Sequence, residues 1–388
     1  MHLAEREQEL PDSDFVRILR TAIEDPRVLS LGPGEPDFDT PRHIRAAAKK
    51  AIDTGLTHYS PIEGRRELRE AIAKKYKRDC GASIDPDSEV IVTTGSTEAL
   101  FLGLTSVVDP GEEVLVPDPT FMIYEPIVEL LNGYPVSVPL RQEEGFQLTA
   151  EGVKEALKDP KRTKAIVICT PSNPTGVVLE RKRLEELADI VIEYDLLCVV
   201  DEAYEKFVYD TRFHSLLGLN GMRDHVLSVQ SFSKTYAMPG FRVGYAVGPE
   251  SVIAAMKKMH FLTSLTAPTP SQVAAAAALN GPQQPVKQMI ASYAKRRKAI
   301  VSRLREMPVF DLVEPKGAFY AFPRLNSGKT TSQRFCERML REARVLAVPG
   351  NEFGRYGQGF VRFSYATALP IISKALDRVE KWLGKAKF

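Results

Sequence analysis

The sequence predicts an α/β protein: a large domain built on a mostly parallel sheet covered by helices, followed by a smaller α+β domain. Three observations predict it. Short apolar runs alternate with amphipathic helical stretches through the middle of the chain. After about residue 284 this gives way to one long charged helix and short, scattered strand signals. A proline- and glycine-rich stretch, LGPGEPDFDTP at 31–41, precedes both regions. With 388 residues, 44% of them hydrophobic, the chain can bury a substantial core.

The elements follow in order. EVIVTT (89–94) is strand-like and leads into helical STEALFLGLTSVV. EEVLVPD (112–118) precedes helical FMIYEPIVELL. KAIVICTP (164–171) passes through SNPTG to RKRLEELADIVIEY, and LLCVVDEAY (196–204) comes next. VLSVQSF (226–232) and RVGYAVG (242–248) complete the series. Runs this short and this apolar fit strands buried on both faces. Beyond them, VKQMIASYAKRRKAIVSRLREM is a long charged helix, GAFYAFP, RVLAVPG and GFVRFSYA are strand-like, and helices fall near 331–343 and at the end. The expected division is an N-terminal segment at 1–42 that crosses between lobes toward the small domain and the substrate site, a large domain at 43–283, and a small domain at 284–388.

Composition excludes several classes. Lysine and arginine number 52 against 50 acidic residues, a net charge of +2, which argues against a dedicated nucleic-acid binder. The opening MHLAEREQELPDSD lacks the apolar core of a signal peptide, and no apolar run approaches the roughly 18 to 20 residues of a membrane span. Cys80, Cys169, Cys198 and Cys336 form no C-x-x-C, and Cys169 and Cys198 lie in apolar runs that predict core packing. A cytoplasmic protein without nucleic-acid or membrane partners is expected. SGKTT (327–331) contains G-K-T, but a P-loop needs a glycine where Pro323 stands. The six histidines show no pairing that suggests a metal site.

In such sheets ligands collect at the carboxyl ends of the strands. The polar residues just past those ends are Gly95, Ser96 and Thr97, then Asn173, Asp201 and Tyr204, then Ser231, Ser233 and Lys234. A lysine is ordinarily a surface cation, and S-x-x-K also occurs in hydrolases, but the companion S-D-N and K-T-G tripeptides are missing. Asp201 ends a buried run, where a carboxylate needs a cationic or hydrogen-bonding partner, and a protonated pyridine nitrogen would serve. Tyr204 and Asn173 suit a phenolate oxygen, while Gly95, Ser96 and Thr97 open a helix whose free N–H groups can hold a phosphate. Ser231 and Arg242 can add an oxygen contact and a charge. Each has a bland alternative as cap, turn or surface residue. Together they describe a site for an aromatic, phosphorylated aldehyde with a lysine to bind it.

At this point the chain resembles the fold-type I pyridoxal-phosphate enzymes, specifically the class I/II aminotransferases of the aspartate/aromatic kind. LGPGEPDFDTP, GLTHYSPIEG, TTGSTEAL, TPSNPTG, VVDEAY, SFSKTYAMPGFRVGY, KGAFYAF, VPGNEF and VRFSYA carry the resemblance by their order and spacing. It implies a seven-stranded sheet in the large domain and pyridoxal 5'-phosphate as cofactor. It implies that Lys234 bonds to the cofactor as an imine and later carries the proton, that Asp201 holds the pyridine nitrogen, and that Tyr204 and Asn173 bind the ring oxygen. Gly95, Ser96, Thr97, Ser231 and Arg242 belong to its phosphate site, and Phe121 matches the aromatic that stacks on the ring. Tyr59 matches the tyrosine that reaches the phosphate of a neighbouring subunit, implying a homodimer with shared active sites. Arg362, with Gly34 and Asn173 beside it, matches the clamp on the substrate carboxylate.

The implied reaction moves an amino group between an L-amino acid and a 2-oxo acid, 2-oxoglutarate by default, in ping-pong order. Some dicarboxylate-specific relatives carry a lysine in the phosphate loop, where this chain has Thr97 and Glu98, so aromatic or other neutral side chains are as open as aspartate. Phe15, Val16 and Arg17 are candidate pocket contacts. A C–S β-lyase or a cyclopropane-forming synthase would show the same cofactor residues. A non-catalytic regulator on this fold is disfavoured by the intact Lys234, Asp201 and Tyr204.

Overall fold

The structure is a computed structural model that describes residues 25–219, 221–326 and 330–385. Its centre is a seven-stranded sheet of β1 (Val90–Thr93), β2 (Glu113–Asp118), β3 (Tyr134–Pro139), β4 (Thr163–Cys169), β5 (Leu197–Asp201), β6 (Val226–Ser231) and β7 (Gly244–Val247). The strands lie in the order β1-β7-β6-β5-β4-β2-β3. β3, β2, β4, β5 and β6 pair in parallel, and β7 runs antiparallel to both β6 and β1. The six apolar runs singled out in the sequence are six of these strands. The seventh, β3, went unmarked because YPVSVP holds two prolines, which donate nothing to a ladder and suit the edge position that β3 occupies.

Strand alternation divides the core. Val199 of β5 and Val167 of β4 face one apolar layer, shared with helices Ser96–Thr105 and Tyr124–Leu130 and with the small lobe. Cys198 and Val200 face the other, filled by helices Arg66–Cys80, Arg181–Glu193 and Thr269–Asn280. Both layers are needed because a parallel sheet leaves no face for water. Cys169 and Cys198 are buried, and the four cysteines are free thiols.

The smaller α+β unit joins the long helix Gln284–Arg305 and the final helix Leu369–Leu383 to short strands. Tyr320–Ala321, Val361–Ser364 and Val348–Pro349 form a three-stranded antiparallel sheet. The helix at Ser332–Arg338 closes in a π-turn at Met339–Ala343. Leu29–Ser30 pairs in parallel with Val345–Leu346, and Leu31 O accepts from Ser364 N at 2.7 Å. The chain then crosses through GPGEPDFDT to helix Arg42–Asp53, which packs on Thr269–Asn280 of the large unit. Among the described residues no helix is long and apolar enough to cross a membrane.

Candidate active site

All the strand ends that carry chemistry meet at one edge of the sheet. β1, β2, β4, β5 and β6 end there, and antiparallel β7 begins there, which is why Arg242 arrives beside residues from the parallel strands. They enclose a cavity of about 250 Å³ lined by Gly34, Ser96, Thr97, Phe121, Asn173, Asp201, Tyr204, Ser231, Lys234, Arg242 and Arg362. These residues span more than three hundred positions of sequence; most were expected from their places at strand ends, and Gly34, Phe121 and Arg362 from the family resemblance. Gly95 backs the cavity: a Cβ there would fall 2.6 Å from Arg242 Nη2, so only glycine lets the guanidinium close on the start of helix Ser96–Thr105. Tyr59 is the exception. Its ring is 82% exposed and does not line the cavity of its own chain. Phe15, Val16 and Arg17 lie outside the described residues.

The geometry is specific. Lys234 Nζ donates to Gly34 O at 2.6 Å. Burial pulls its pKa down to about 8, with Glu35 opposing the shift and Arg362 reinforcing it, so the amine is far easier to deprotonate than a free lysine. Asp201 accepts from Tyr124 Oη at 2.9 Å and from Ala203 N at 3.0 Å. Burial nevertheless raises its pKa, and among the described residues its side-chain hydrogen bonds come only from neutral donors. Arg362 is buried, donates from Nη1 to Asn173 Oδ1 at 2.8 Å and from Nη2 to Gly32 O at 2.7 Å, and leaves Nε unpartnered. Its guanidinium lies over the rings of Tyr320 (4.5 Å) and Phe353 (4.7 Å). Ser231 Oγ accepts from Ser233 N at 3.1 Å, capping the turn that presents Lys234. Glu98, in the first turn of the helix that starts at Ser96, is directed to Thr94 N, His260 and Thr263, leaving that helix end to its backbone N–H groups.

Such a set, with a lysine of lowered pKa, an underpaired buried carboxylate and an arginine with a spare N–H around one cavity, suits chemistry on an amino acid bound to an aromatic cofactor. The sequence profile described as aminotransferase class I and II matches residues 26–378. The chain belongs to that family. It is 46% identical to an aspartate aminotransferase of Pyrococcus abyssi, over 93% of this chain and 92% of that one. It is 43% identical to aromatic-amino-acid aminotransferase 2 of Thermococcus litoralis across the full length of both. The crystal structure of an aromatic aminotransferase from Pyrococcus horikoshii OT3 matches with a TM-score of 0.90 and 44% identity, covering 96% of this chain and 99% of that one. The protein is a pyridoxal-phosphate-dependent aminotransferase acting on amino acids of the broad aspartate/aromatic type.

The residues of this aminotransferase fit the cofactor. Asp201 is a buried carboxylate lacking a cation, which a protonated ring nitrogen supplies. The glycine-lined approach of Arg242 to the N-terminus of helix Ser96–Thr105 is a cradle for an anion. Sequence reasoning did not single out Tyr320, Met122 or Cys169 as cavity residues, nor Tyr124 as the donor to Asp201. Tyr124 stands three residues after Phe121, a helical spacing that could have paired them, and their rings meet edge to face at 5.8 Å. Nothing in GAFYAFP distinguishes Tyr320 from its aromatic neighbours.

Proposed function

We propose that this aminotransferase takes aromatic or other neutral L-amino acids as donors in preference to aspartate, with 2-oxoglutarate as the default acceptor by family resemblance. One observation carries the preference. Arg362 is a buried cation of the cavity wall with an N–H free for a carboxylate, and Phe121, Met122 and Tyr320 form apolar walls beside it. Apart from Lys234 and Arg242, which the cofactor would engage, a distal carboxylate finds no further lysine or arginine among the described residues lining the cavity, whereas an aromatic side chain finds matching surface. The aromatic-amino-acid aminotransferase of Thermococcus litoralis, similar over its full length, supports the same reading.

Asp201, Tyr204 and Asn173 would hold the cofactor ring, Phe121 would stack on it, and Ser96, Thr97, Ser231 and Arg242 would hold its phosphate. Bound pyridoxal phosphate supplies an aldehyde that takes up the amino group and a cationic ring that withdraws electrons from the substrate Cα. Arg362 would orient the α-carboxylate through paired N–H groups and thereby aim the Cα–H at Lys234. Lys234 Nζ would remove the Cα proton and return it one carbon away, and a pKa near 8 leaves the amine able to do both near neutrality. The exposed Tyr59 supports a homodimer in which each subunit lends that hydroxyl to the other's phosphate site.

A half-reaction screen tests the substrate assignment. The protein in its cofactor-loaded form is mixed with single amino acids, and loss of the visible cofactor band is followed. Phenylalanine and tyrosine should convert the band faster than aspartate at equal concentration. Faster conversion by aspartate, or release of pyruvate and thiol from a cysteine conjugate without a 2-oxo acid, overturns the assignment.

A further inference from the structure

The proposed role of Tyr204 leaves a hydrogen-bonding question. A phenol has one proton. In the structure Tyr204 Oη lies 2.8 Å from Tyr320 Oη, both side chains being buried. If Tyr204 turns its proton to the cofactor's ring oxygen, its own oxygen must accept, and Tyr320 is the group placed to donate. Among the described residues the Tyr320 hydroxyl has no other hydrogen-bond partner, so its proton is free to give.

Tyr320 also belongs to the substrate side of the cavity. The Arg362 guanidinium lies 4.5 Å over its ring, within the range where a desolvated cation gains from an aromatic face. Its hydroxyl presses against Gly34, where a Cβ would stand 1.9 Å from Tyr320 Oη, and Gly34 O in turn takes the hydrogen bond from Lys234 Nζ. The strand that presents it is pinned on both sides. Tyr320 is in register with Ser364, two residues beyond Arg362, while Ala318 N donates to Phe207 O and Lys316 O accepts from Tyr209 N. Rings of Tyr204 and Phe319 pack against it at 5.7 and 5.0 Å. Arg362, Tyr204, Asp201 and Cys169 are the charged or titratable groups around it.

We propose that Tyr320 is a positioning residue of this aminotransferase: its hydroxyl donates to Tyr204, freeing the Tyr204 proton for the cofactor's ring oxygen, while its ring braces Arg362 for the substrate carboxylate. The inference rests on the reading that Tyr204 contacts that oxygen. Hydrogen bonds in series polarise one another, so losing the outer donor weakens the inner one. The two functions reside in different atoms of one side chain and can be separated.

The test compares the cofactor-loaded wild-type protein with Tyr320→Phe, which keeps the ring, and Tyr320→Leu, which removes it. The first readout is the pH midpoint of the bound cofactor's visible band. A ring oxygen that loses part of its donor binds its proton more tightly, so in Tyr320→Phe the midpoint should rise by about half to one pH unit. The second is steady-state kinetics. Tyr320→Phe should lower kcat with KM for the amino acid within about twofold of wild type, whereas Tyr320→Leu should also raise KM, by roughly tenfold, as Arg362 loses its brace. An unchanged midpoint in Tyr320→Phe overturns the relay, and an unchanged KM in Tyr320→Leu overturns the brace. Tyr204→Phe in the same assay separates the two readings: an unchanged midpoint there overturns the Tyr204 contact itself, whereas a raised midpoint there with an unchanged one in Tyr320→Phe overturns the relay alone.

Discussion

Glu202 adjoins Asp201 in the chain but lies on the opposite face of the sheet, and replacing it with glutamine should remove a pH-dependent loss of stability. Strand alternation turns Asp201 toward the cavity and Glu202 into the apolar layer behind it. There Glu202, fully buried, accepts from Ser228 Oγ at 2.6 Å, Ser215 Oγ at 2.8 Å and Gln230 Nε2 at 3.2 Å. Gln230 Nε2 also donates to Glu205 at 2.9 Å, and Lys75 Nζ donates to the same carboxylate at 2.8 Å. One buried ammonium therefore stands among two buried carboxylates. It lies on Glu205, which Lys75 and Lys206 hold below the ordinary range despite burial. Glu202 is pushed up from 4.5 to about 7, first by burial and then by the charge of Glu205.

The folded chain therefore holds the Glu202 proton more tightly than the unfolded chain does. The associated stability is fully present below about pH 4.5 and is lost as the pH rises through about 7. At roughly 1.4 kcal/mol per pH unit, the interval from 4.5 to about 7 amounts to about 3.5 kcal/mol. A chain of 388 residues unfolds with an entropy of roughly 0.8 kcal/mol/K, so the effect on Tm is about 4 °C. The assay is calorimetric unfolding of the loaded protein from pH 5 to 8.5 at fixed ionic strength, wild type against Glu202→Gln. Other titrating groups are common to both proteins and cancel in the difference. The variant should gain most of that 4 °C on wild type as the pH rises. Parallel Tm–pH curves would refute the argument that Glu202 is the carboxylate left without a cation.

Lys234→Ala should abolish amino transfer and leave Tm within a few degrees, because its ammonium makes one hydrogen bond and carries no packing load; borohydride should fix the cofactor to Lys234 in the parent chain, and a label on another lysine would overturn the assignment. Arg362→Lys replaces a fork by a point charge, so KM for the amino acid should rise roughly tenfold to a hundredfold in steady-state assays, and an unchanged KM would remove Arg362 from the carboxylate site. In the cofactor-free protein, acylation of Lys234 followed by peptide mapping should show a pH midpoint near 8, since burial favours the neutral amine; a midpoint near 10 would show that the site is wet.

Much of the site was legible because Ser96, Thr97, Asn173, Asp201, Ser231 and Lys234 sit at or just past strand ends, and strands buried on both faces announce themselves as apolar runs, whereas Gly34, Tyr59, Phe121 and Arg362 were placed by the family resemblance. Asp201 after LLCVV and Asn173 after KAIVICTPS could be placed at one sheet edge without knowing the strand order. β3 could not, because an edge strand has one partner and less apolar surface, and its prolines read as loop. Tyr124 and Tyr320 escaped for a different reason. Their significance lies in a partner 77 and 116 positions away, and a buried tyrosine without its acceptor is only another aromatic of the core.

VVDEAYE shows how tightly the two kinds of information are interleaved. With a period of two along the strand and its continuation, Asp201 faces the cavity and Glu202 faces the layer behind it; after the turn Tyr204 returns to the cavity and Glu205 to the rear. The rear carboxylates bind Ser228 and Gln230 of β6, the strand that ends at Ser231 and leads to Lys234. Two adjacent strands that carry the carboxylate and the lysine are thus tied together on the face away from the reaction. A change at Glu202 removes no residue that lines the cavity. It would act on the tie between β5 and β6, and so on the spacing of Asp201 and Lys234, which is why its pH signature should appear in stability before it appears in substrate affinity.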